Sequence, residues 1–154
     1  MKITAVLLAA GQGTRMKSDL PKVLHPLCSK PMLWHVLEAL KTVATEKPVV
    51  VVGHGAEDVK KYLADSAECV LQEPQLGTGH AAMQAESLLR GKTDYVIVTY
   101  ADMPLLRGET FKRLLETQRL NSGPFSLLTV IADDPRGFGR IVRKANGTVE
   151  AIVE

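Results

Sequence analysis

The run Ile3-Thr4-Ala5-Val6-Leu7-Leu8, continuing into Ala9-Ala10-Gly11-Gln12-Gly13-Thr14-Arg15-Met16 and then Leu20-Pro21-Lys22, decides the fold. Ile3 to Leu8 is apolar and partly β-branched, long enough for one buried strand. The glycines that follow let the backbone turn sharply and leave its N–H groups exposed. With Arg15 and Lys22 close by, such N–H groups can cradle a phosphorylated ligand. Two familiar glycine loops fit poorly. A dinucleotide fingerprint needs a third glycine where Met16 stands, and a P-loop needs a G-K-[ST] triplet that does not occur here.

Length and composition bound what surrounds this stretch. The chain's 154 residues, 45% hydrophobic and 23% charged, suit one domain with its own core, and a second domain would not fit comfortably. A net charge of +2 gives no reason to expect nucleic acid or a membrane as partner. No apolar run reaches the ~18 residues of a membrane span, and the N-terminus enters a strand without a cleavable signal pattern, so the expected location is the cytoplasm. Cys28 and Cys69 lack C-x-x-C spacing and read as free thiols.

Outward from the first loop, strands and helices alternate. Met32, Leu33, Val36, Leu37 and Leu40 recur at helical spacing behind Pro31, with Trp34 and His35 beside the stripe as packing or surface residues. Pro48 to Val52 reads as a buried strand closed by Gly53-His54-Gly55. In that turn, His54 reads as structural or at most a ligand neighbour. A short helix with Val59, Tyr62 and Leu63 inward follows, then a strand over Cys69 to Leu71 and a helix over Ala81 to Leu89. Tyr95 to Tyr100 is a further strand, and a helix from about Glu109 to Gln118 packs Phe111, Leu114 and Leu115. Ser126 to Ile131 reads as a fifth strand. Gly139 to Lys144 and Thr148 to Val153 flank Asn146-Gly147, a strong hairpin signal. This pattern predicts an α/β fold, a Rossmann-like three-layer α/β/α sandwich with a mostly parallel sheet, covered on both faces, and an antiparallel C-terminal hairpin. Ligands of such sheets bind outside the carboxyl ends of the strands.

Two further strings carry chemistry. In Gln72-Glu73-Pro74-Gln75-Leu76-Gly77-Thr78-Gly79-His80-Ala81, Gln72 and Gln75 offer amides that can match a base edge, and Gly77 and Gly79 let a ring approach the backbone. Taken alone the segment could equally be a helix cap. Asp102 follows a buried strand, where a carboxylate can point into a cleft and serve as a Mg²⁺ ligand together with phosphate oxygens. Asp133-Asp134-Pro135 reads instead as an Asx turn.

The string L-x-x-G-x-G-T-R-M followed by P-K resembles the signature of sugar-1-phosphate nucleotidyltransferases. With G-H-G, L-Q-x-x-Q-L-G-T-G-H-A, Y-A-D-x-P-L, D-D-P-x-G-F-G-R-I and the final I-V-E, the chain resembles the N-terminal part of the bacterial bifunctional N-acetylglucosamine-1-phosphate uridyltransferases/glucosamine-1-phosphate acetyltransferases. The resemblance implies transfer of UMP from UTP to N-acetylglucosamine 1-phosphate, giving UDP-N-acetylglucosamine and pyrophosphate with Mg²⁺, as a step toward peptidoglycan and lipopolysaccharide. It implies that Leu8, Ala9, Ala10, Gly11, Gly13, Gln72, Gln75, Gly77 and Thr78 hold the uridine nucleotide. Lys22 would sit on phosphate and Arg15 on the triphosphate. Tyr100, Ala101 and Asp102 would line the nucleotide-sugar, with Asp102 on the metal, and Gly139 and Glu154 would contact the amino sugar. Ala101 departs from the family's usual glycine. The family's domain also continues beyond I-V-E with two asparagines that complete the site, and then with a β-helix for acetyl transfer and trimer contacts. The expectation is therefore a truncated domain. The alternatives are a catalytically incomplete module that binds UTP or UDP-sugar, and a nucleotidyltransferase for another sugar phosphate.

Overall fold

A computed structural model describes residues 1–153. Strand β1 (Ile3–Ala9) is buried along its whole length, as its apolar run requires. After two short 3₁₀ turns, Thr14–Met16 and Lys22–Leu24, comes a small antiparallel ribbon of β2 (Pro26–Leu27) and β3 (Lys30–Pro31). The first crossover is helix α1 (Met32–Leu40), which leads into β4 (Val49–Val52). Helix α2 (Ala56–Leu63) leads to β5 (Glu68–Leu71), and α3 (Thr78–Met83) with α4 (Glu86–Leu89) leads to β6 (Tyr95–Tyr100). The long helix α5 (Gly108–Leu120) precedes a hairpin of β7 (Arg140–Arg143) and β8 (Val149–Val153).

The four long-range strands form one parallel sheet in the order β5-β4-β1-β6. Alternation along β1 sends its side chains to two cores. Ile3, Ala5, Leu7 and Ala9 pack with Leu33, Val36 and Leu40 of α1, Val59 and Leu63 of α2 and Phe111 of α5. Val6 and Leu8 pack on the other side, with Ala81 of α3 and Ala85. The sheet thus has helices on both faces. Its register pairs Leu8 with both Val51 and Tyr100, and Val52 with Leu71, so the loops after all four strands open at the same edge. No helix among the described residues is long and apolar enough to cross a membrane.

The structure corrects several details. Ser126 to Ile131 is not a strand: it has β-favouring residues but no ladder partner, and Leu128, Val130 and Ile131 are exposed. The second face is left open over β6, where Val96, Val98 and Tyr100 are exposed to solvent. Tyr62 turns outward and is 41% exposed. The helix expected over Ala81 to Leu89 is two pieces, since around Ala85 the N–H groups bond three residues back, from Ala85 to Ala82 and from Leu88 to Ala85. The terminal hairpin forms as expected around Asn146-Gly147, but as a separate two-stranded sheet.

Candidate functional site

A cavity of about 310 Å³ lies at the carboxyl edge of the parallel sheet. Its walls are Leu8, Ala9, Ala10 and Gly11 from the end of β1, Lys22 and Val23 from the second turn, Gln72, Gln75, Gly77, Thr78 and Ala81 from the loop after β5, and Tyr100 and Asp102 after β6. Three segments far apart in sequence therefore meet here because the parallel register ends their strands together.

The first loop is held by fit as much as by hydrogen bonds. Gly13 adopts φ +61°, and a Cβ built there would stand 2.8 Å from the Lys22 Cβ. Gly55 adopts φ +67°, and its Cβ would stand 2.4 Å from Pro21 Cγ. Both positions exclude a side chain by conformation and by space. Gly55 of the G-H-G turn after β4 thus abuts Pro21, next to Lys22, while a Cβ at Gly53 would stand 2.8 Å from the Ala10 carbonyl oxygen, so both glycines are explained without any chemical role for the exposed His54. The second loop ties onto the first through Gln75, whose Nε2 donates to the Ala10 carbonyl at 2.7 Å.

Lys22 and Asp102 form an ion pair across the cavity, with about a third of each side chain exposed. The ammonium and the carboxylate are therefore available to a ligand that offers phosphate oxygens to one and a cation to the other. Among the described residues no three His, Cys, Asp or Glu side chains gather into a metal cluster. A lone, partly exposed carboxylate still fits Mg²⁺, which keeps several waters and takes one or two carboxylates with substrate phosphates filling the remaining positions.

The remaining expected residues sit elsewhere. Arg15 and Gly13 lie on the exposed lip of the loop and are not part of the cavity wall. Ala101 is fully buried in the main core, its N–H donating to the Leu8 carbonyl at 3.0 Å, so the residue links β6 to β1 and does not face the cavity. Gly139 is exposed just before the terminal hairpin and away from the cavity wall. Glu154 lies outside the described residues. Asp134 forms the expected Asx turn: the Arg136 guanidinium, and secondarily the Arg136 N–H at 3.2 Å, hold its carboxyl below the ordinary value. Val23 and Ala81 also line the cavity: Ala81 closes the second string, and Val23 had only its apolar character beside Lys22 to flag it.

A glycine loop, a lysine and a strand-terminal aspartate meeting at one cavity define an α/β domain that works at the carboxyl ends of its parallel strands. More narrowly, the chain belongs to the MobA-like NTP transferase domain family, whose model matches residues 5–140. It is 51% identical over 150 residues to the bifunctional protein GlmU of Bacillus licheniformis, covering 97% of this chain and 33% of that protein. To the bifunctional protein GlmU of Geobacillus thermodenitrificans it is 52% identical over 154 residues, which is 100% of this chain and 34% of that protein. The chain thus spans about a third of the length of these relatives. The fold is shared with a nucleotidyl transferase from Methanothermobacter (TM-score 0.66, 24% identity, 75% of this chain and 57% of that one). It is shared too with Rv0371c of Mycobacterium tuberculosis in complex with manganese (TM-score 0.64, 21% identity, 78% of this chain and 61% of that one).

Proposed function

We propose that this chain is the nucleotide half of a uridyltransferase that moves UMP from UTP to N-acetylglucosamine 1-phosphate, releasing pyrophosphate and UDP-N-acetylglucosamine. The observation that carries this reading is the convergence of Leu8–Gly11, Lys22, Gln72, Thr78 and Asp102 on one cavity. The GlmU relatives, near 50% identity, support the choice of uridine and of the amino-sugar phosphate.

In this reading the base lies against Gln72, Gly77 and Thr78, and the phosphates run along the Ala9–Gly11 backbone toward Lys22. Gln75 closes the base side by tying its loop to Ala10. An oxygen of the sugar phosphate attacks the α-phosphorus of UTP while the bond to the bridging oxygen breaks, and pyrophosphate leaves with that electron pair. The attacking oxygen is already anionic, so the protein need supply no nucleophile or base. Its contribution is orientation plus positive charge from Lys22, with Arg15 swinging in from the loop lip to the triphosphate. Asp102 is the residue to hold Mg²⁺, which when bound would neutralise triphosphate charge. A structural neighbour, Rv0371c, is known in complex with manganese, which supports a divalent cation as the cofactor class. Lys22 would exchange its Asp102 partner for phosphate as the nucleotide enters. Gly13, Tyr100 and Ala101 shape the surrounding backbone, and Gly139 and Glu154 would reach the sugar. In full-length relatives the β-helix beyond this region would supply trimer contacts.

The experiment is pyrophosphate release from UTP, Mg²⁺ and N-acetylglucosamine 1-phosphate. Release that vanishes in Asp102→Ala supports the reading. UTP binding without release favours the incomplete binding module, and release with another sugar phosphate alone would reassign the acceptor.

A further inference from the structure

A second cavity, of about 320 Å³, lies between the end of α1 and the end of α2, where the chain leads into β4 and β5. It is therefore at the amino edge of the parallel sheet, and it shares no wall residue with the strand-end cavity. Leu37, Leu40, Ala44 and Pro48 give it apolar walls, and the aromatic side chains of Trp34 and Tyr62 complete them. Three charged groups also line it: Glu38, Lys41 and Glu46. The Lys41 ammonium is spent on Glu38, at 2.5 Å. Glu46 has no ion-pair partner among the described residues, and its carboxylate accepts only the Thr45 hydroxyl, at 3.3 Å. Two carboxylates against one ammonium leave the walls negative. That charge is felt inside: the Tyr62 phenol holds its proton more tightly than usual, first through burial and then through Glu38. Trp34 already attracts a cation, since the Lys30 ammonium stands 5.7 Å from its ring centre.

We propose that this cavity binds a small arylalkyl ammonium ion, its ring packed against Trp34 and Tyr62 and its ammonium at Glu46. The volume falls at the lower end of small-molecule sites, about 300–1,000 Å³, which suits one ring on a short chain. The ring exchanges water for apolar walls, and the ammonium meets an unpaired carboxylate beside aromatic faces. A carboxylate on the same ring would meet Glu46 with no cation free to offset it.

Trp34 is the only tryptophan, so its indole N–H gives a single peak in a ¹H–¹⁵N spectrum. The test is to titrate the protein at neutral pH with 2-phenylethylamine, 2-phenylethanol and phenylacetate. The amine should shift the indole peak saturably and bind more tightly than the alcohol, with phenylacetate weakest. Two exposed positions then move the amine in opposite directions. Glu46→Gln should weaken it about two- to fivefold, the worth of a partly exposed ion pair, and leave the alcohol unchanged. Lys41→Met, which frees Glu38, should strengthen it by a similar factor. No saturable shift with the amine overturns the proposal, as does equal binding of amine and alcohol or an amine affinity that neither variant changes.

Discussion

Gly55 shows how little room the loop residues have. Gly55→Ala forces a side chain into a left-handed conformation and against Pro21. It should cost about 1–2 kcal/mol of stability in a urea titration, and it should lower nucleotide affinity because Pro21 carries Lys22. Loss of stability with unchanged UTP binding would separate the turn from the site. Lys22→Met should weaken transition-state stabilisation by a few kcal/mol, read as a fall in kcat/KM of two to three orders of magnitude. The two thiols should differ as well. Burial pushes the Cys69 thiol up despite Lys60 and Lys47 nearby, whereas Cys28 is exposed in the β2–β3 turn. Iodoacetamide should therefore label Cys28 first at neutral pH, as peptide mapping would report. At this scale the placing of Lys22, Gln72 and Asp102 at one cavity was legible because Gln72 and Asp102 closely follow strand ends and Lys22 follows the glycine loop. The burial of Ala101 was not, because a residue next to a cavity-lining aspartate points the opposite way along a strand end, and its burial depends on packing against β1.

The elements follow from two periods. β1 and β4 read as uninterrupted apolar runs because both their faces are covered, and α1 and α5 read from their 3.6-residue stripes. Leu7, fully buried between β4 and β6 and facing α1, should cost about 2–5 kcal/mol on replacement by alanine, seen as a lower urea midpoint at unchanged slope. What the sequence could not disclose was the partner of a strand. Ser126 to Ile131 has the composition of a strand, yet composition does not supply a neighbouring ladder. The β2–β3 ribbon was hidden for the opposite reason: its turn residues Cys28 and Ser29 adopt φ +49° and +68° without the glycine or asparagine that usually announces such a turn. Tyr62 failed because a helical stripe gives a direction but not how far the covering layer extends.

At the scale of the whole molecule, the parallel order β5-β4-β1-β6 is what turns three distant motifs into one cavity. A ligand bound there touches loops from β1, β5 and β6 at once, so it should stabilise the fold by mass action. UTP with Mg²⁺ at about a hundred times its Kd should add about 2.7 kcal/mol and raise the melting temperature by roughly 5–10 °C, while Mg²⁺ alone, with a single carboxylate to hold it, should add little. The most direct test is a ¹H–¹⁵N spectrum titrated with UTP and Mg²⁺. The account predicts saturable shifts concentrated at Leu8–Gly11, Lys22, Gln72, Thr78 and Asp102, with α5 and the terminal hairpin unmoved. Shifts centred elsewhere, or none at saturating UTP, would contradict the claim that the strand-end cavity is the nucleotide site.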